Sequence, residues 1–119
     1  MIKIMLLVNR KSGISREEFR RHYEEVHAPL ASSHLRHLVR YVRNYVTDQF
    51  RSDFDCDVVT EFWFDYPGSW REVRAVLLPQ DMLDLFALDE ETFMDRATMR
   101  VLVIEQGETP AGQLLGNSD

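Results

Sequence analysis

The stretch IKIMLLV, residues 2–8, is apolar everywhere except Lys3. Successive side chains of a strand point to opposite faces, so Ile2, Ile4, Leu6 and Val8 would line one face and Met5 and Leu7 the other. An antiparallel strand with one face in water alternates apolar and polar residues, and this one does not. The last apolar run, MRVLVIEQ (99–106), repeats the feature: Val101 and Val103 share one parity, Leu102 and Ile104 the other. Any sheet built from these strands has two faces to cover.

The turn-prone NRKSG follows the first strand, and Ser15 with Glu18 three residues later forms a capping box that starts a helix. At 100° per residue, Tyr23, Val26 and Leu30 fall within about 40° of Phe19, while Glu17, Arg21 and Glu24 lie on the far side. Pro29 lacks an N–H and its ring clashes with the carbonyl four residues back, so the helix is expected to end or kink near His27 and Ala28. LVRYVRNYVT (38–47) and DVVTEFWF (57–64) are rich in β-branched and aromatic residues and read as two strands of a hairpin around the polar QFRSDFDC. A second helical region runs through SWREVRAVLL and, after a break at Pro79, through QDMLDLFALDEETFMD, with Met82, Leu85, Phe86 and Phe93 as its apolar face.

The order βαββαβ specifies an α+β, ferredoxin-like fold: a four-stranded antiparallel sheet with the helices on one face. Residues 1–108 make the one domain, and 109–119 are expected to be a flexible C-terminal tail. Because the helices cover one face only, the second apolar face predicts a homodimer joined through the sheets.

Composition narrows the function. The chain has 119 residues and a net charge of −6, with Lys and Arg scattered among Asp and Glu, which gives no footprint for nucleic acid. No run approaches a membrane span or a signal peptide, and a single cysteine, Cys56, accords with a reducing compartment. A cytoplasmic protein without membrane partners is expected. The glycines at 13, 68, 107, 112 and 116 form neither GxGxxG nor GxxxxGK, and there is no GxSxG elbow. Glu24 and His27 spell one ExxH and His34 and His37 are three apart, which falls short of a di-iron or zinc ligand set. No cofactor and no metal are expected.

His27 is the leading catalytic candidate. On the helical wheel it lies about 80° from Phe19, at the edge of the apolar stripe, beside the expected helix break. Carbonyls freed there would orient one ring nitrogen and leave the other to exchange a proton near neutral pH. A histidine complementing the helix dipole has the same position and needs no substrate. Tyr23, Tyr41, Glu61 and Trp63 are the candidate substrate-pocket residues. Glu61 interrupts an apolar strand, where a buried carboxylate has a raised pKa or pairs with an arginine such as Arg43. Tyr41 and Trp63 carry aromatic bodies with polar tips suited to a flat ligand, or to core packing. His22, His34 and His37 read as surface or structural.

The segment RKSGISREEFRRHYEEVHAPL (10–30), with RYVRNYV (40–46) and EFWFD (61–65), resembles the EthD family of dimeric α+β barrel proteins. The phenylalanine, helix-ending histidine and proline of FRRHYEEVHAP are its most specific part. The resemblance implies the same sheet-to-sheet dimer and places His27 at the family's characteristic histidine. Relatives on this scaffold include lactone isomerases, polyketide cyclases and decarboxylases. The expected function is a cofactor-independent enzyme of isomerase, cyclase or decarboxylase type. In it His27 moves a proton on a small carbonyl, lactone or aromatic polyketide-like substrate of a catabolic or biosynthetic pathway. The alternatives are a non-catalytic auxiliary protein that binds a small hydrophobic or aromatic molecule in the same pocket, and, less favoured, a haem-dependent oxidase of the kind found among other dimeric barrels.

Overall fold

The computed structural model describes residues 1–51, 53 and 55–117. Strands β1 (Ile2–Val8), β2 (Leu38–Tyr45), β3 (Val58–Phe64) and β4 (Arg100–Ile104) form one antiparallel sheet in the order β2-β3-β1-β4. This is the expected α+β ferredoxin-like architecture. Part of the hairpin loop (residues 52 and 54) and the last two residues of the tail lie outside the described residues, and positions 105–116 are exposed throughout. No helix among the described residues is long and apolar enough to cross a membrane.

The helices are α1 (Arg16–His22), α2 (Ala28–His34), α3 (Trp70–Leu77) and α4 (Gln80–Phe93). Ser15 caps α1 by accepting from the Glu18 N–H, as the capping box predicts, and Ser69 caps α3 in the same way through Glu72. Pro79 stands at the N-cap of α4 in extended conformation, which explains the break between the last two helices.

Register decides what each face presents. Ile4 faces Phe62 and Val103 across its neighbours, and Leu6 faces Thr60 and Val101, so these residues share the helix-covered side. Met5 faces Glu61 and Leu102, and Lys3 faces Trp63 and Ile104, on the opposite side. Two apolar clusters fill the space under the helices. One joins Ile4, Leu35, Phe64, Val73, Leu77 and Phe86, and the other joins Val8, Phe19, Tyr23, Val58, Phe93 and Met94. The open face is not bare of polar groups: Lys3 lies 4.5 Å over the Trp63 ring and 3.3 Å from Glu61, so charged stems shield part of the apolar surface.

Candidate active site

The helix does not end at Pro29. Between α1 and α2 the chain makes a π-helical turn, Tyr23–His27, in which the Ala28 N–H bonds the Tyr23 carbonyl five residues back. A proline at 29 cannot donate to the Glu25 carbonyl and would collide with it in an α-helix. The wider turn accommodates the ring without breaking the rod. It also re-phases the buried face. Phe19, Tyr23, His27, Ala31 and Leu35 are all buried and follow one another at steps of four. In an undistorted α-helix each such step drifts by about 40°. The π turn absorbs part of this drift and carries His27 from the edge of the stripe into it, where only 3% of the residue is exposed. The same shift turns Val26, expected on the apolar face, out to 46% exposure.

His27 meets α4 between the two apolar clusters, its ring 5.2 Å from that of Phe93 and 6.2 Å from that of Phe86. Its Nδ1 lies 2.8 Å from Asp89 Oδ2. The other carboxylate oxygen, Oδ1, lies 2.9 Å from Nε2 of His22, so one aspartate bridges the histidine just before the π turn and the one that ends it. An ionised carboxylate only accepts, so Nδ1 of His27 carries the proton and donates it to Asp89. In the neutral ring Nε2 is then the acceptor. It points toward Glu90, whose Oε2 is 3.9 Å away, while Oε1 is 3.3 Å from Nε of Arg96. Burial pushes the Glu90 carboxyl above the usual carboxylate range, against the pull of His27 and Arg96.

His27 and Glu90 line a cleft of about 580 Å³ between the sheet and helices α3 and α4, walled by apolar residues such as Leu6, Phe62, Trp70 and Phe86. Val101 and Val103 of β4 also line the cleft, on the helix side of the sheet, and remain 54% and 48% exposed. A larger and more polar cavity of about 790 Å³ lies at the hairpin-loop end. Its Asp57 is already engaged, 3.1 Å from Arg10 and 3.8 Å from Arg16, and no candidate residue lines it. The smaller cleft has the convergent polar groups in an apolar wall that a small-molecule site needs. Among the described residues, no group of three or more His, Cys, Asp and Glu side chains converges in a way that would hold a metal ion.

The five candidate residues are divided by the sheet. Only His27 lines the cleft. Tyr23 is fully buried behind it, its hydroxyl 2.8 Å from Thr60 Oγ1 and pushed up to about 12 by burial. Tyr41 stacks on Phe62 at 4.6 Å with a buried hydroxyl that lacks a hydrogen-bond partner, and burial pushes that phenol up as well. Glu61 and Trp63 belong to the open face. There Glu61 accepts from Asn44 and Trp63 and pairs with Lys3, and these contacts hold its carboxyl below the usual range rather than above it. Arg43 does not meet Glu61. It clasps Glu24 through Nε and Nη2 at 2.8 and 2.9 Å, and this pair, with the Tyr45 hydroxyl, draws Glu24 down to about 2.

Asp89, Glu90 and Arg96 belong to no motif in the sequence. One signal was available: Phe86, Glu90 and Phe93 follow i, i+4, i+7, so a carboxylate stands inside the apolar stripe of α4. His22, which reads as surface or structural, joins the site through Asp89.

Fold and site together define a ferredoxin-like α+β protein with an aspartate-held histidine in an apolar cleft. The family model of the EthD domain matches residues 11–97, and the chain belongs to the EthD family. Among solved structures it is similar to an ethyl tert-butyl ether D (EthD) family protein of Bacillus halodurans C-125, with a TM-score of 0.65 and 14% identity over 90% of this chain and 100% of the other. It is also similar to an Arabidopsis thaliana protein, with a TM-score of 0.67 and 14% identity over 92% and 99%. At such identity these likenesses speak for the fold. No curated protein matches the chain.

Proposed function

We propose that the protein is a cofactor-independent enzyme in which His27 acts as general base and acid on a small carbonyl, lactone or aromatic polyketide-like substrate. The observation that carries this reading is the 2.8 Å contact between Nδ1 of His27 and Asp89, which leaves Nε2 of this cleft-lining residue as the acceptor. Asp89 fixes the tautomer and steadies the imidazolium once a proton arrives, the role a carboxylate plays behind any working histidine base. The apolar wall excludes water from the reacting proton and receives a hydrophobic or aromatic body. Isomerisation, cyclisation by an enolate and decarboxylation share this proton traffic.

The same reading includes a homodimer. The open face sets Met5, Leu7, Val59, Trp63 and Leu102 beside one another, and a second copy of the sheet is the natural cover for it.

The test compares turnover with binding. A ligand that survives purification, identified by mass spectrometry, is offered back to the wild type and to His27→Ala. Turnover by the wild type that vanishes in His27→Ala, with ligand affinity kept, supports the enzyme. A ligand that the wild type binds and returns unchanged supports an auxiliary binding protein instead.

A further inference from the structure

We propose that Glu90 is the second proton carrier of the cleft, so that the substrates are carbonyl compounds in which one proton is removed from a carbon and another delivered to a different carbon of the same conjugated frame. This rests on the reading of His27 as the base. Nε2 of His27 and Oε2 of Glu90 are 3.9 Å apart, and both residues line the apolar cleft. That separation is too long for a direct hydrogen bond and short enough for two carbons on one side of a planar frame to meet one group each. The two sit on different elements, His27 at the end of the π turn and Glu90 in α4.

The groups facing Glu90 pull its carboxyl in opposite directions. His27 and Arg96 draw its carboxyl down, and Asp89 and burial draw it up, with burial the largest influence. With Nδ1 of His27 donating to Asp89, Nε2 is free to accept, and the protonated Glu90 carboxyl that burial favours would stand beside it to donate. In the step itself, the C–H bond breaks and its proton passes to Nε2, while the electron pair moves into the carbonyl as an enolate. The conjugated carbon further along the frame then takes the proton from Oε2 of Glu90, and the carbonyl re-forms. The imidazolium returns its proton to the Glu90 carboxylate through a bridging water, which restores both groups. The reaction is a 1,3-proton shift, and β,γ-unsaturated lactones and ketones with an apolar body are its simplest substrates.

The experiment uses a five-membered β,γ-unsaturated lactone and a β,γ-unsaturated aryl ketone in D2O, followed by NMR. Deuterium entry at the α-carbon reports His27, and appearance of the α,β-unsaturated isomer reports delivery at the far carbon. For Glu90→Gln the isomer should form at least roughly 10²-fold more slowly while α-exchange stays within about threefold of wild type. His27→Gln should lose both. Retained exchange in Glu90→Gln also shows that the variant is folded. Wild-type isomerisation in Glu90→Gln, or loss of exchange together with isomerisation, overturns the role of Glu90 and leaves His27 in place. Wild-type protein that neither exchanges nor isomerises either probe overturns the proton-transfer reading and this inference with it.

Discussion

Asp89 Oδ2 holds Nδ1 of His27 at 2.8 Å from a helix 62 residues further along the chain. Replacing Asp89 by Asn keeps the shape but lets the amide donate to Nδ1, which moves the ring proton to Nε2 and removes the base from the cleft. Turnover should fall by about 10²- to 10⁴-fold with the fold intact. Nitrogen chemical shifts of the imidazole would report the tautomer, and an unchanged tautomer with an unchanged rate would remove Asp89 from the mechanism.

Pro29 is the cause assigned to the π turn. In Pro29→Ala the restored N–H can bond the Glu25 carbonyl, favouring an ordinary α-helical ladder and drawing His27 away from Asp89. Turnover or ligand affinity should drop while thermal unfolding changes little. A crystal structure of Pro29→Ala with the π turn and the Asp89 contact intact would show that packing, not proline, sets the turn.

Tyr23 is a support rather than a pocket residue. Its hydroxyl and that of Thr60 satisfy each other in a fully buried space. Tyr23→Phe leaves Thr60 without that partner and should cost about 1 to 3 kcal/mol, measured by urea unfolding, with ligand affinity nearly unchanged. A stability equal to wild type would mean that Thr60 finds another acceptor or donor.

The glutamates give the pH dependence opposite signs. Glu24 is drawn down to about 2 by Arg43, so its contribution is present above its ordinary value of 4.5 and is lost as the pH falls toward 2. Glu24→Gln should therefore flatten the acid limb of a stability-versus-pH curve, modestly because the pair is part-exposed. Glu90 is pushed up, so its neutral form favours folding at low pH and the advantage is lost as the pH rises through its folded value. Glu90→Gln should stabilise the protein above that value. Unfolding curves at several pH values test both signs at once.

Sedimentation of the wild type should give twice the 14.0 kDa chain mass at micromolar concentration. Leu102→Arg, which puts a charge on the open face opposite Met5, should shift it toward monomer. A wild type that runs as a well-folded monomer would mean that the charged stems of Lys3 and Arg40 over Trp63 shield the open face sufficiently.

The elements that follow local rules were legible in the sequence. The Ser15 cap and the break at Pro79 depend on chemistry within a few residues, and the strands on their β-branched and aromatic runs. The π turn was not, because Pro29 read alone argues for a helix end, and only the packing of Phe19, Tyr23, His27, Ala31 and Leu35 on one core rewards the wider turn. Strand parity separates Glu61 and Trp63 from Tyr41: they lie on the alternate face to Phe62, Tyr41's cross-strand partner. Asp89 and Glu90 stand in an acidic run that resembles a solvated face, and their value appears only when α4 crosses the π turn.

The central claim is that His27 transfers protons, and the pH–rate profile of the wild type against His27→Gln tests it most directly. Glutamine keeps the size and hydrogen bonding of the ring but exchanges no proton between about pH 5 and 8, the range in which imidazoles titrate. On a substrate the wild type turns over, His27→Gln should be slower by roughly 10²- to 10⁴-fold and lose the pH dependence in that range. A variant that kept the wild-type rate and profile would make His27 a structural residue.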